Sequence, residues 1–301
     1  MWRGTKNKIL IFFVFLGLVF SLAGCGQRRS VSIAHFYDYD ANFPLRPEVR
    51  LQEVTKVDSI FHVTYKSVHE QRVTALLSLP VAGKRPYPVI LFLHGLGDNK
   101  NADYMQFGDR AFAQAGYAVF RIDYALHGER KDPDFTRFDL RKPYPFTTRN
   151  AIVQTVFDLR RAVDFLRTRS ELNTSRLGYM GISLGGITGA IFCGVDSRVK
   201  VAVLALAGGG WKLLFGFHMV SPKIQNLLAP VEPLNFVGKI APRPTLFLNA
   251  SKDEIVPPFL AKKLHKAAGE PKEVIWFPTK HRKIPLDTSF QKAIEWFRRY
   301  L

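Results

Sequence analysis

Leu177-Gly178-Tyr179-Met180-Gly181-Ile182-Ser183-Leu184-Gly185-Gly186-Ile187-Thr188-Gly189-Ala190 is the stretch whose reading decides the fold. Leu177–Met180 is a short apolar run, as expected of a strand covered on both faces. Leu184–Cys193 is rich in small and apolar residues and predicts a helix packed close against that strand. Between them lies Gly181-Ile182-Ser183-Leu184-Gly185, a G-x-S-x-G sequence. A serine on a sharp strand-to-helix turn needs a strained backbone, and glycines on either side relieve the crowding. The helix after the turn puts positive partial charge beside the serine, where an oxyanion would form.

Outward from this turn, strand and helix patterns alternate. Ile60–Tyr65 and Val73–Leu79 read as an antiparallel hairpin. Strands are then expected at Val89–Leu93, Ala118–Ile122, Val201–Leu206, Thr245–Asn249 and Val274–Phe277. Helices are expected at Phe107–Ala115, Asn150–Arg169, Pro258–Ala268 and Thr288–Tyr300, the second with apolar residues near helical spacing. Such alternation predicts an α/β domain, a mostly parallel sheet with helices on both faces. The ligand site should lie beyond the carboxyl ends of the strands. One domain spans about residues 59–301, and residues 208–243 form an insert that reads as a short cap. The apolar side chains of that insert, Trp211, Leu213, Leu214, Phe215, Phe217 and Met219, suit either a substrate pocket or packing on the sheet.

A serine hydroxyl is a weak nucleophile at neutral pH and needs a base held by a carboxylate. Asp253 follows the strand ending at Asn249, and His281 follows the strand ending at Phe277, so both leave the rim that carries Ser183. Glu254 is the alternative acid. Among other histidines, His265 lies in a helical pattern among lysines and is expected to be exposed, and His218 lies in the insert. His35, His62 and His69 precede the main sheet. Backbone N–H donors for an oxyanion should come from Leu184, just after the serine, and from Leu96 in His94-Gly95-Leu96-Gly97. His127 in Asp123-Tyr124-Ala125-Leu126-His127-Gly128-Glu129-Arg130 precedes the serine in the chain. It suits loop organisation better than base catalysis, with substrate contact as the other reading.

Together, the His94–Gly97 loop, Asp123 with His127–Arg130, Gly181–Gly186, Asp253 with Val256-Pro257, and His281-Arg282 resemble the dienelactone hydrolase and prolyl-oligopeptidase-like branch of the α/β-hydrolases. Small bacterial carboxylesterases are the nearest likeness, over about residues 59–301. The resemblance implies the α/β-hydrolase fold and hydrolysis of a small-molecule ester through an acyl-enzyme, with no cofactor. Ser183 stands where dienelactone hydrolases have cysteine, and no propeller precedes the domain. Two other activities stay open: acyl transfer or peptide hydrolysis by the same three side chains, and a non-catalytic binding module.

The chain has 301 residues, 47% hydrophobic and 23% charged, long enough to fold around its own core without disulfide or metal staples. No zinc-ligand spacing is present, so no metal is expected. The formal net charge of +18 suits either a solvated basic surface with no dedicated partner or anionic partners. No RNA-binding or helix-turn-helix signature accompanies it, which argues against nucleic acid. Arg3, Lys6 and Lys8 precede about 14 apolar residues, Ile9–Leu22, the length of a signal-peptide core and too short to span a bilayer. Leu22-Ala23-Gly24-Cys25 then resembles the bacterial lipobox. That resemblance implies removal of residues 1–24, lipidation of Cys25 and attachment to a membrane of the cell envelope, with residues 25–58 a tether and N-terminal segment. Cys193 lies in an apolar run and reads as a buried thiol.

Overall fold

The computed structural model describes residues 33–132, 145–210 and 222–301. The signal segment 1–24, Cys25 and residues 211–221, which include Trp211, Phe215, Phe217 and His218, lie outside the described residues. The compact unit that carries the sheet runs from Tyr37 to Leu301.

Among the described residues nine strands form one sheet in the order β1-β2-β3-β5-β4-β6-β7-β8-β9. They are β1 (Glu48–Val54), β2 (Asp58–Lys66), β3 (Arg72–Pro80), β4 (Tyr87–Leu93), β5 (Ala118–Ile122), β6 (Leu172–Ile182), β7 (Val201–Ala205), β8 (Thr245–Ala250) and β9 (Lys272–Phe277). From β5 through β9 all neighbours are parallel, while β1, β2 and β3 pair antiparallel and β3 joins β5 antiparallel. This is the expected α/β architecture.

The α-helices among the described residues are α1 (Asp103–Gln114), α2 (Pro145–Leu166), α3 (Leu184–Val195), α4 (Pro222–Leu228), α5 (Pro258–Ala267) and α6 (Leu286–Tyr300). Successive side chains of a strand point to opposite faces, so a sheet covered on both sides needs apolar residues at nearly every position. In β4, Ile90 and Phe92 join Met105, Phe112, Phe290 and Phe297 of α1 and α6 in one buried cluster. The Phe92 ring lies edge-on to Phe112 and Phe290, with centroids 6.0 and 5.7 Å away. On the other side of the sheet Phe165 of α2 packs on Tyr65 and Phe120. Fully burying each such phenylalanine contributes about 2–3 kcal/mol. The parallel registers Leu93↔Gly181, Ile182↔Ala205, Ala205↔Leu248 and Ala250↔Phe277 bring the carboxyl ends of β4, β6, β7, β8 and β9 into one line. The loops that leave this line build the site.

Two peripheral segments contribute buried structure. Residues 25–58, read as a tether and N-terminal segment, contain β1 and a buried anchor, Tyr37. The Tyr37 ring packs on Phe157 and Phe236, its hydroxyl donates to Pro230 O at 2.7 Å, and Arg160 donates to its carbonyl. Part of the insert at residues 208–243 packs into the core. Phe236, Val237 and Ile240 are buried, and Phe236 lies against Gly194 at the end of α3, so this part completes the core beneath the rim.

Candidate active site

The turn from β6 into α3 gives Ser183 φ 56° and ψ −115°, a left-handed backbone rare for a residue with a side chain. A Cβ on Gly181 would come within 2.3 Å of Gly185 O, so the two glycines close the turn. Ser183 N donates to Ala205 O at 2.9 Å, which ties the turn to β7. Ser183 is part-exposed at the rim.

The loops after β8 and β9 bring the two other expected side chains to this serine. His281 Nε2 lies 2.9 Å from Ser183 Oγ, and His281 Nδ1 lies 2.7 Å from Asp253 Oδ2. With Nδ1–H given to the carboxylate, Nε2 accepts the serine proton. Asp253 Oδ1 accepts Ile255 N–H at 2.9 Å and Val256 N–H at 2.7 Å, so the carboxylate is fixed on both oxygens. Asp253 and His281 are both buried to 7% exposure, which strengthens their electrostatic contact. Glu254, the alternative acid, bonds the backbone of His281 rather than its ring. Its Oε2 accepts His281 N–H at 3.2 Å, and backbone N–H donors hold its carboxyl below the usual range.

The loop after β4 packs against the serine, for a Cβ on Gly95 would sit 3.5 Å from Ser183 Cβ. Asp98 N–H closes a turn onto Gly95 O, and Gly97 takes φ +83° inside it, a conformation glycine adopts at low cost. Among the described residues Leu96 N–H meets no acceptor. Leu184 is the first residue of α3, so its N–H has no partner within the helix. Among the described residues neither expected oxyanion donor is given an acceptor.

Several buried groups hold this loop. His94 Nε2 accepts Tyr124 N–H at 3.0 Å, so its proton sits on Nδ1 and is donated to Gly95 O at 2.8 Å. Burial lowers the His94 pKa to about 4 and keeps the ring neutral. Tyr104 Oη accepts Gly95 N–H at 2.8 Å and donates to Asp98 Oδ2 at 3.0 Å. Further along, Lys100 is buried between Asp123 and Glu129, and Arg121 donates to Lys100 O at 2.8 Å. Asp123 also accepts Thr74 Oγ1, Lys100 N–H and Glu129 N–H. Tyr104 is absent from the sequence expectations because the helix is expected to begin at Phe107, four residues after it does.

His127 is buried, bonds Ala125 O at 2.9 Å and lies beside His94 and Tyr124, with burial lowering its pKa. These contacts fit loop organisation. His265, expected to be exposed, is buried against Phe247 and Trp276, with ring centroids 4.6 and 5.7 Å away. Burial lowers its pKa to about 4. Cys193 is buried and free, and burial pushes its thiol up to about 12.

A strained serine at the end of β6, faced by a histidine and an aspartate that leave the last two strands, defines the class: the protein is a hydrolase with the α/β-hydrolase fold. Residues 33–206 match the model of the acetyl xylan esterase (AXE1) family. The match covers more than half of the chain, and the protein belongs to that family, whose members are ester hydrolases. A Bacillus subtilis (strain 168) protein, YtaP, named as a hydrolase, is 25% identical over 216 residues, 65% of this chain and 70% of its own. The solved acetyl xylan esterase of Paenibacillus sp. R4 superposes with TM-score 0.74 at 21% identity, covering 90% of this chain and 95% of that one. Acetyl Xylan Esterase 1 of Thermoanaerobacterium sp. JW/SL YS485 gives TM-score 0.70 at 15% identity, over 85% and 88%. These two likenesses speak for the fold.

Proposed function

We propose that the protein is a serine carboxylesterase that cleaves small acyl esters through an acyl-enzyme. The observation that carries this reading is the continuous relay from Ser183 Oγ to His281 Nε2 and from His281 Nδ1 to Asp253 Oδ2. His281 removes the Ser183 proton as the oxygen attacks the ester carbonyl. Asp253 keeps the ring oriented and stabilises the imidazolium. Leu96 and Leu184 N–H hold the negative oxygen of the tetrahedral intermediate, each such donor contributing on the order of 3 kcal/mol. His281 returns the proton to the departing alcohol, and the same residues then activate water to release the acid. The solved neighbours named as acetyl xylan esterases make acetyl groups on a carbohydrate the first substrate class to test.

The test is labelling by a fluorophosphonate together with turnover of a chromogenic acetyl ester. Wild type should label at one site and turn over, and Ser183→Ala should do neither. Unchanged turnover by Ser183→Ala would remove the reading. A series of acyl lengths from acetyl upward then reports pocket depth.

We further propose that Cys25 is the lipidated mature N-terminus and holds the enzyme at an envelope membrane. The supporting feature is the order of basic residues, apolar run and Leu22-Ala23-Gly24-Cys25. Palmitate incorporation in cells should be present in wild type and lost in Cys25→Ser. Incorporation that survives this substitution would overturn the anchor.

A further inference from the structure

We infer that Tyr104, braced by Asp98, is a positioning residue that sets the oxyanion donor on the loop after β4. The inference rests on the proposed role of Leu96 N–H and adds a residue to that machinery.

Gly95, like Gly97, has wide backbone freedom, and the direction of Leu96 N–H depends on the φ and ψ of Gly95. The two peptide planes that meet at Gly95 are each held by a different side chain. The plane that begins with Gly95 C=O and ends with Leu96 N–H is held at its oxygen by His94 Nδ1–H, at 2.8 Å. The plane before it is held at Gly95 N–H by Tyr104 Oη, at 2.8 Å. A phenol has one proton. Tyr104 spends it on Asp98 Oδ2 at 3.0 Å, which leaves a lone pair aimed at Gly95 N–H. Burial pushes the Tyr104 hydroxyl well above its ordinary pKa, so it stays protonated.

Asp98 is also the residue whose N–H closes the turn onto Gly95 O. The Tyr104–Asp98 pair therefore ties the first and last residues of the turn to the first turn of α1, which is anchored in the core through Met105. This arrangement has two effects. It fixes the angle of the Leu96 N–H without a side chain at the reacting centre. It also commits the Gly95 N–H, while Leu96 N–H stays without an acceptor among the described residues. Without the hydroxyl, Gly95 N–H loses its acceptor, and the turn is held at Gly95 O alone, by His94 Nδ1–H and Asp98 N–H. A donor displaced by a fraction of an ångström still admits substrate but holds the oxyanion poorly, and that loss falls on the transition state.

The experiment is Tyr104→Phe in the full chain, assayed with a chromogenic acetyl ester and with a phenylboronic acid that forms a tetrahedral adduct on the serine. The expected result is a fall in kcat of about 10- to 100-fold with KM within about twofold, and boronate affinity weakened in step with kcat. Melting temperature and circular dichroism establish that the variant is folded. Asp98→Asn, which keeps an oxygen to accept the phenol proton, should lose less than Asp98→Ala. A folded Tyr104→Phe with wild-type kcat and boronate affinity overturns the inference, as does a loss confined to KM. Wild-type controls separate this failure from failure of the serine reading. Fluorophosphonate labelling that depends on Ser183, beside an unaffected Tyr104→Phe, leaves the triad standing and removes Tyr104 alone.

Discussion

The two halves of the rim around Ser183 are held in different ways. On the side of β8 and β9, the proposed function resides in side chains, and a few direct bonds place them: Asp253 is capped by two backbone N–H groups, and His281 bridges it to the serine. On the side of β4, the proposed chemistry belongs to the backbone, and buried side chains serve as its supports. His94, Tyr104 and Asp98 grip the turn, and Asp123 and Arg121 fix the backbone of Lys100 just beyond it. A side chain can be aimed by its own rotamer and one partner. A backbone N–H can be aimed only by fixing the peptide around it. The β4 side should therefore tie activity to folding stability more tightly than the β8–β9 side.

Substitutions ranked by effect can break or sharpen this contrast. The largest losses belong to the relay. His281→Ala should cost on the order of 10⁴-fold or more in kcat, and Asp253→Asn about 10⁴-fold, with melting temperature close to wild type. Single-turnover kinetics and a thermal melt check both, and a large drop in stability would blur the contrast. Next comes His94→Asn on the opposite side. It should lower kcat by about 10- to 100-fold and also destabilise the fold, because it disturbs buried hydrogen bonds at Tyr124 N–H and Gly95 O.

Stability should also depend on pH through the β4 side. His94 has its pKa lowered from 6.5 to about 4 in the folded chain, so between these values the unfolded chain binds the proton that the folded chain refuses. The stability of the neutral ring is full above pH 6.5 and is lost as the pH falls toward 4, amounting to roughly 3 kcal/mol. His265 acts in the same direction. Asp109, pushed up to about 6 by burial, acts in the opposite direction, gaining stability for the folded chain as the pH drops below that value. Comparing melting temperatures of wild type and His94→Asn from pH 7 to pH 4 isolates the first contribution, and parallel curves would refute it. The smallest effect is Glu254→Gln, which leaves an oxygen for His281 N–H. A change in kcat within about threefold is expected, because a bond to an exposed carboxylate contributes little. A loss comparable to Asp253→Asn would make Glu254 a member of the relay.

The same contrast decides how much of the site is legible in the sequence. The serine turn is written in consecutive residues, and the order of Ser183, Asp253 and His281 along the chain matches the order of strand ends, so that half of the site can be read directly. Tyr104 cannot. Its role depends on a hydrogen bond to a glycine nine residues earlier, and tyrosine near the start of a helix has many uses. β1 escapes a sequence reading because its residues are almost all exposed and its contribution is backbone pairing with β2, which leaves no buried apolar pattern. Tyr37 escapes it because Phe36, Tyr39 and Phe43 share its polar stretch, and nothing local singles out the one aromatic that is buried. His265 is misplaced when Lys262, Lys263 and Lys266 are given the most weight. Helical spacing instead puts it on the same side as Ala261, Leu264 and Ala268, all of which are buried.

β1 also closes one side of the sheet, and how it does so bears on the protein's behaviour when crowded. An outermost strand offers unpaired backbone groups to any passing chain, the usual start of sheet-to-sheet sticking. Here the row carries Glu48, Arg50 and Glu53, Arg50 and Arg72 both reach Glu48, and the register slips between Leu51 and Glu53. A newcomer would have to displace these charges and match a kinked ladder. Such an edge disfavours pairing with a second sheet, despite the exposed Leu51 and Val54 beside it.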